Sequence, residues 1–197
     1  MKPPFILSDW MRQRAAFILT PIVTFLARYR LSPDAVTVAG FLSHFFFAWL
    51  VATGRMTAAG FAILIIAPLD AVDGALARQM GRKQGGFGAF LDSTLDRVAE
   101  IILFGGFISY YVGEGNEAML AIAYIAITGS LMVSYARSRA EGLGYDCKVG
   151  ILGRFERYIV LIVFLILDLP EISLMILAAL TYFTLLQRMH HVWKQAR

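Results

Sequence analysis

Six runs of mostly apolar residues, at 34–53, 57–80, 88–112, 117–140, 155–169 and 171–190, constrain this chain more than any other feature. A bilayer core takes about 20 apolar residues per helix, so each run predicts a transmembrane helix. The composition agrees. With 58% hydrophobic and 16% charged residues over 197 positions, the chain is far more apolar than the roughly half-apolar, quarter-charged soluble average. Ser32-Pro33-Asp34 opens the first run, Gly54-Arg55 closes it, Gly85-Gly86 precedes the third, Gly113 to Asn116 separates the third from the fourth, and Leu169-Pro170 parts the last two. Without internal repeats, one six-helix domain over 34–197 suffices, preceded by a segment 1–33. The expected fold class is an all-α integral membrane protein, its six transmembrane helices surrounding a polar cavity.

Basic residues set the orientation. With a cytoplasmic N-terminus, the outer loops hold Arg55 with Glu114, Glu117, Asp168 and Glu171, and every other Lys and Arg lies on or near the inner side. The cavity then faces the cytoplasm from a multi-pass protein of the cell membrane. Residues 5–30 combine Trp10, Phe17, Phe25 and Leu26 with Arg12, Arg14, Arg28 and Arg30, and Pro21 interrupts them. This pattern reads as an N-terminal amphipathic interfacial helix. It lacks the order of a cleavable signal, because the basic residues follow the first apolar ones. The inner Lys and Arg suit anionic lipid headgroups. The net charge of +4 is the ordinary inside-positive bias, and no nucleic-acid partner is expected. The single Cys147 excludes an intramolecular disulfide and reads as an incidental cytosolic thiol in a polar loop.

Four carboxylates interrupt these apolar flanks. Asp70-Ala-Val-Asp73-Gly74-Ala-Leu-Ala77-Arg78 is followed by Gly88-Ala-Phe-Leu-Asp92-Ser-Thr-Leu-Asp96. On helices, Asp70 and Asp73 share one face, and so do Asp92 and Asp96. A helix running unbroken from Thr57 would set Asp70 roughly 20 Å along its axis, in the inner half of the bilayer. Charge there is costly and usually functional. Converging carboxylates repel one another unless divalent cations neutralise them, and carboxylate oxygens are the ligands that hard Mg²⁺, Mn²⁺ or Ca²⁺ prefer.

The pattern D-x2-D-G-x2-A-R, a spacer, then G-x3-D-x3-D resembles the signature of the CDP-alcohol phosphotransferase family of integral membrane enzymes, and the hydropathy layout extends the resemblance over nearly the whole chain. It implies attack by an alcohol on the lipid-side phosphorus of CDP-diacylglycerol or CDP-archaeol, with release of CMP. By the same resemblance Asp70, Asp73, Asp92 and Asp96 hold two divalent ions, Mg²⁺ or Mn²⁺, and Asp96 is also the catalytic proton acceptor. Asp70, Asp73, Gly74, Ala77, Arg78, Gly88 and Asp92 form the CDP-lipid site. Gly74 and Gly88 lack a Cβ and admit a nucleotide or a neighbouring helix, and Arg78 offers a guanidinium fork to phosphate.

A second constellation speaks to the acceptor. Ser134-Tyr-Ala-Arg137-Ser-Arg139-Ala-Glu141 ends the fourth run, and Gly153-Arg154-Phe-Glu156-Arg157 opens the fifth. These segments resemble the phosphatidylinositol-phosphate and archaetidylinositol-phosphate synthase branch. The match implies that Ser134, Arg137, Arg157 and Arg188 bind the phosphate of a phosphorylated polyol, inositol phosphate first, and that the protein is a homodimer, with Gly105-Gly106 a plausible place for the interface. Gly153 and Phe155 stand where that branch has Glu and Pro. Singly, each Arg also fits snorkelling at the inner interface.

Other readings stay open at the level of residues. Phosphatidylglycerophosphate synthase would use the same basic cluster for glycerol 3-phosphate. Intramembrane carboxylates also build cation pathways, so a divalent-cation transporter is the non-enzymatic reading, although it does not need Gly74, Ala77 and Arg78 at those offsets. His44, alone among Phe41, Phe45, Phe46 and Phe47, reads as a packed or hydrogen-bonded histidine.

Overall fold

The computed structural model describes residues 23–29, 31–67, 69–81 and 86–197, with the side chains of all of these except 69–71. Most of the expected amphipathic segment, residues 5–22, lies outside the described residues. Every element among them is an α-helix: α1 Pro33–Ala52, α2 Met56–Ile66, α3 Leu69–Gln79, α4 Phe87–Gly113, α5 Glu117–Gly142, α6 Arg154–Ile166 and α7 Pro170–Gln195. Residues 23–28 are also helical. Proline at the first position of α1 and α7 has no N–H to leave unpaired. Asn116 caps α5 by accepting from the Met119 N–H at 3.1 Å.

Three of the expected spans are single helices long and apolar enough to cross a membrane: α1, α5 and α7. The run 57–80, expected as one helix, is instead two. Helix α2 ends at Ile66 and α3 begins at Leu69; the sequence between them includes Pro68, and a proline both lacks the N–H of the helical ladder and clashes with the carbonyl four residues back. The 11 residues of α2 extend only about 16 Å, and an axial depth for Asp70 counted from Thr57 no longer holds. The 27 residues of α4 are long enough for a span, but its first half carries Asp92, Asp96, Arg97 and Glu100.

The described residues form two compact units, one reaching to Ser43 together with Ile65–Asp96, the other His44–Leu64 with Arg97–Arg197. In the first, Val23 joins Val72 and Leu76 of α3 in a small apolar cluster, with Leu26, Ala27, Val36 and Ala75 around it. Residues 23–27 therefore pack on the helix that carries Asp70 and Asp73.

In the second unit α7 packs along both α5 and α6. Small residues permit the closest approaches. A Cβ on Gly129 of α5 would run into the Thr181 side chain of α7, and one on Gly106 of α4 would lie 2.5 Å from the carbonyl oxygen of Ala48 in α1. Gly106 thus serves packing within the chain, whereas a Cβ on Gly105 would meet nothing within 4 Å. The exposed Phe45, Phe46 and Trp49 of α1 and Phe183 and Leu186 of α7 suit a hydrocarbon surround. The lone histidine is hydrogen-bonded: His44 Nε2 lies 2.9 Å from the Tyr158 hydroxyl, both buried.

The connection 143–153 is strapped to α7 by side chains of that helix. Gln195 accepts from the Asp146 N–H at 3.1 Å and donates to the Asp146 carbonyl at 2.6 Å, while Gln187 and Thr184 accept from the N–H groups of Ile151 and Leu152. Gly150 adopts φ +117°, and a side chain there would strike Thr184. This tethering turns Cys147 inward until it is fully buried.

Candidate active site

The signature carboxylates all lie in the first unit. Helix α3 carries Asp70 and Asp73 one turn apart, and the first half of α4 carries Asp92 and Asp96. The Asp70 side chain lies outside the described ones. Asp73 is buried at 6% exposure. Its Oδ2 accepts from the Thr37 hydroxyl at 2.5 Å and its Oδ1 from the Gly74 N–H at 2.5 Å. Burying a carboxylate costs several kcal/mol unless donors meet it; these two satisfy the charge and fix its direction. Thr37 is a contributor that sequence reasoning missed, and its position 36 residues before Asp73 in the chain gave no signal.

Asp92 and Asp96 are partly exposed, as are Gly74, Ala77 and Gly88, and Arg78 is exposed. The Arg78 guanidinium lies back toward Gly74, where an added Cβ would stand 3.5 Å from Nη1. Among the described side chains no group of three or more His, Cys, Asp or Glu is gathered closely enough to hold a metal ion, the Asp70 carboxylate not being one of them. The donor set itself suits a hard divalent cation: all-oxygen, anionic, and with one member pre-oriented by Thr37.

The predicted acceptor residues lie in the second unit, and three of the four are buried. Arg157 is 1% exposed. Its Nε donates to Glu100 Oε1 at 2.9 Å, and its Nη2 to Glu100 Oε2 at 3.2 Å and to Ser134 Oγ at 3.2 Å. Glu100, itself 2% exposed, is the site residue that sequence reasoning passed over. Its signal was available, since it follows Asp96 by four residues inside an apolar run. Arg188 is also buried; its Nε donates to the Val149 carbonyl at 2.9 Å and its Nη1 to the Val133 carbonyl. Arg137 stays exposed, paired with Glu141 at 2.8 Å one turn along α5. Arg157 and Arg188 thus bond to adjacent residues of α5, Ser134 and Val133, so the fold brings two buried guanidinium groups to one turn of that helix, one paired with Glu100 and the other bonded to neutral carbonyls. Beside them, burial pushes the Cys147 thiol pKa up, a shift that nearby Arg188 partly opposes.

The geometry thus consists of an oxygen-rich anionic locus and a cationic one. The sequence profile of the CDP-alcohol phosphatidyltransferase family matches residues 30–187. The archaetidylinositol phosphate synthase of Methanothermobacter thermautotrophicus is 36% identical over 176 residues, covering 86% of this chain and 87% of that protein. The crystal structure of Mycobacterium tuberculosis phosphatidylinositol phosphate synthase with CDP-DAG bound superposes with a TM-score of 0.82 at 29% identity, over 90% of this chain and 94% of that one. The same enzyme in complex with manganese and citrate superposes with a TM-score of 0.81 at 28% identity, over 89% and 88%. The chain belongs to the CDP-alcohol phosphatidyltransferase family.

Proposed function

We propose that this enzyme transfers the phosphatidyl or archaetidyl group of a CDP-lipid to a hydroxyl of inositol phosphate and releases CMP. The observation that carries the choice of acceptor is the buried arginine cluster. Arg157 and Arg188 bond to adjacent residues of α5, Ser134 and Val133; Glu100 offsets the charge of Arg157, whereas Arg188 donates to neutral carbonyls and keeps its positive charge for the anion of a phosphorylated alcohol, to which charge-assisted hydrogen bonds are the strong ones. The relatives named for inositol phosphate products support the same acceptor, and the CDP-DAG complex of one of them supports the donor.

Asp70, Asp73, Asp92 and Asp96 would hold Mg²⁺ or Mn²⁺, two ions in our reading, and bound there the metal supplies neutralisation of the pyrophosphate and of the departing CMP. Thr37 and the Gly74 N–H keep the Asp73 carboxylate aimed. Gly74, Ala77 and Gly88 leave room for the nucleotide, and Arg78 offers its fork to a phosphate. Asp96 takes the proton of the acceptor hydroxyl as its oxygen bonds to the lipid-side phosphorus and the bond from that phosphorus to the CMP oxygen breaks. A carboxylate is a weak base, and it serves because the proton becomes acidic only as the new bond forms.

The architecture in this reading has six spans, with α2 and α3 together making the second, around a cavity open to the cytoplasm, and a homodimer as the working unit. Purified protein given CDP-diacylglycerol and inositol 1-phosphate should release CMP, stop in excess chelator and resume with Mg²⁺ or Mn²⁺. Full activity in chelator would refute the metal assignment.

A further inference from the structure

We propose that Glu100 is a positioning residue for the acceptor phosphate, acting through Arg157. The inference rests on the reading that Arg157 binds that phosphate. A guanidinium has two edges that can grip an oxyanion, one made by Nε and Nη2 and the other by Nη1 and Nη2. Glu100 takes the first edge with both carboxylate oxygens, at 2.9 and 3.2 Å. Ser134 Oγ accepts from Nη2 at 3.2 Å. None of these bonds uses Nη1. The pair is almost wholly buried, with side-chain exposures of 1% and 3%, so the arrangement is not the loose surface pairing that solvent and salt erode.

A flexible arginine must give up rotamer freedom each time it binds a ligand. Fixed by Glu100 from α4 and Ser134 from α5, Arg157 of α6 has its Nη1 N–H groups set in direction before the acceptor arrives. Glu100 also cancels the guanidinium charge in the absence of acceptor, so the site tolerates being empty. Because Glu100 and Ser134 together use Nε and both Nη2 hydrogens, only the Nη1 N–H groups are left for the acceptor phosphate, which restricts the orientations in which it can be held.

The test uses full-length protein in detergent and measures KM for inositol 1-phosphate and, separately, for CDP-diacylglycerol. Glu100→Gln keeps the shape but loses the charge and one of the two acceptor oxygens. It should raise the acceptor KM by about tenfold or more, the scale on which small misplacements act, and leave the CDP-diacylglycerol KM within about twofold. Glu100→Asp should recover part of the loss. Adding Glu100→Gln to Arg157→Gln should change the acceptor KM no further. If Glu100→Gln fails to fold, Ser134→Ala, which removes the second anchor of Nη2, should still raise the acceptor KM alone. An unchanged acceptor KM in a folded variant, a parallel rise in both KM values, or effects that multiply in the double variant would overturn the proposal. Arg157→Gln with normal acceptor use would instead overturn the reading of Arg157 itself, so the two failures are separable.

Discussion

The buried Glu100–Arg157 pair predicts a stability pattern that single and double replacements should show with opposite signs. Arg157→Met would leave the Glu100 carboxylate, 2% exposed, without the two bonds at 2.9 and 3.2 Å that meet its charge. Breaking a buried pair from one side costs about 3–5 kcal/mol, because the surviving charge is uncompensated. At about 2–4 °C per kcal/mol for a chain of this size, that is a fall of roughly 6–20 °C in Tm. Glu100→Leu should cost a similar amount by stranding the guanidinium. The double variant Glu100→Leu/Arg157→Met buries no charge, and such replacements are neutral or stabilising by about 1–4 kcal/mol, so its Tm should return to the wild-type value or above while use of a phosphorylated acceptor stays lost. Cys147 provides the assay, since a single buried thiol becomes reactive toward a fluorogenic maleimide when the protein unfolds. A double variant no more stable than the worse single one, or single variants shifted by less than 2 °C, would refute the claim that electrostatic compensation holds this part of the core.

Gly106→Ala should lower stability by about 1–3 kcal/mol, the ordinary cost of overpacking, because its methyl would lie 2.5 Å from Ala48 O and 2.8 Å from Ala48 Cα; Gly105→Ala, with nothing within 4 Å, should stay within about 0.5 kcal/mol, and thermal unfolding of both distinguishes them. The raised thiol pKa of Cys147 means less thiolate at any given pH below it, so maleimide labelling of the folded protein should be much slower than that of a small free thiol near pH 8, speed up as pH rises, and become complete on denaturation; equal labelling rates in folded and unfolded protein would contradict the burial. Asp96→Asn should reduce turnover by about 10²-fold or more, the scale of lost general-base assistance, with CDP-lipid binding largely retained, as equilibrium binding and single-turnover CMP release would show.

The parts of the molecule legible in the sequence were those written in local spacing. The long apolar helices α1, α5 and α7 follow from uninterrupted hydropathy between proline, glycine and asparagine boundaries. The signature from Asp70 to Asp96 sufficed to name the family that the profile match and the superpositions bear out. Counting apolar residues over 57–80 hid the break between Ile66 and Leu69, because hydropathy averages over a proline in the sequence whose effect is on the backbone ladder. Contacts between residues distant in the chain left no local trace. Glu100 and Arg157 are 57 residues apart, and Thr37 and Asp73 are 36 apart; only the folded chain pairs them. The burial of Cys147 left no local trace either. Its neighbours are polar, yet side chains of α7, 32 to 49 residues after the residues they hold, tie the segment down and bury it.

The acceptor specificity tests the account most directly. Purified wild-type enzyme with CDP-diacylglycerol and Mg²⁺ or Mn²⁺ should be offered inositol 1-phosphate, free inositol and glycerol 3-phosphate, separately and in competition, with CMP and the lipid product both measured. The arginine cluster predicts the highest kcat/KM for inositol 1-phosphate and little use of free inositol, because free inositol brings no oxyanion to accept charge-assisted hydrogen bonds from the arginines. Preference for free inositol would contradict the central claim, and preference for glycerol 3-phosphate would move the enzyme to another acceptor within the same family.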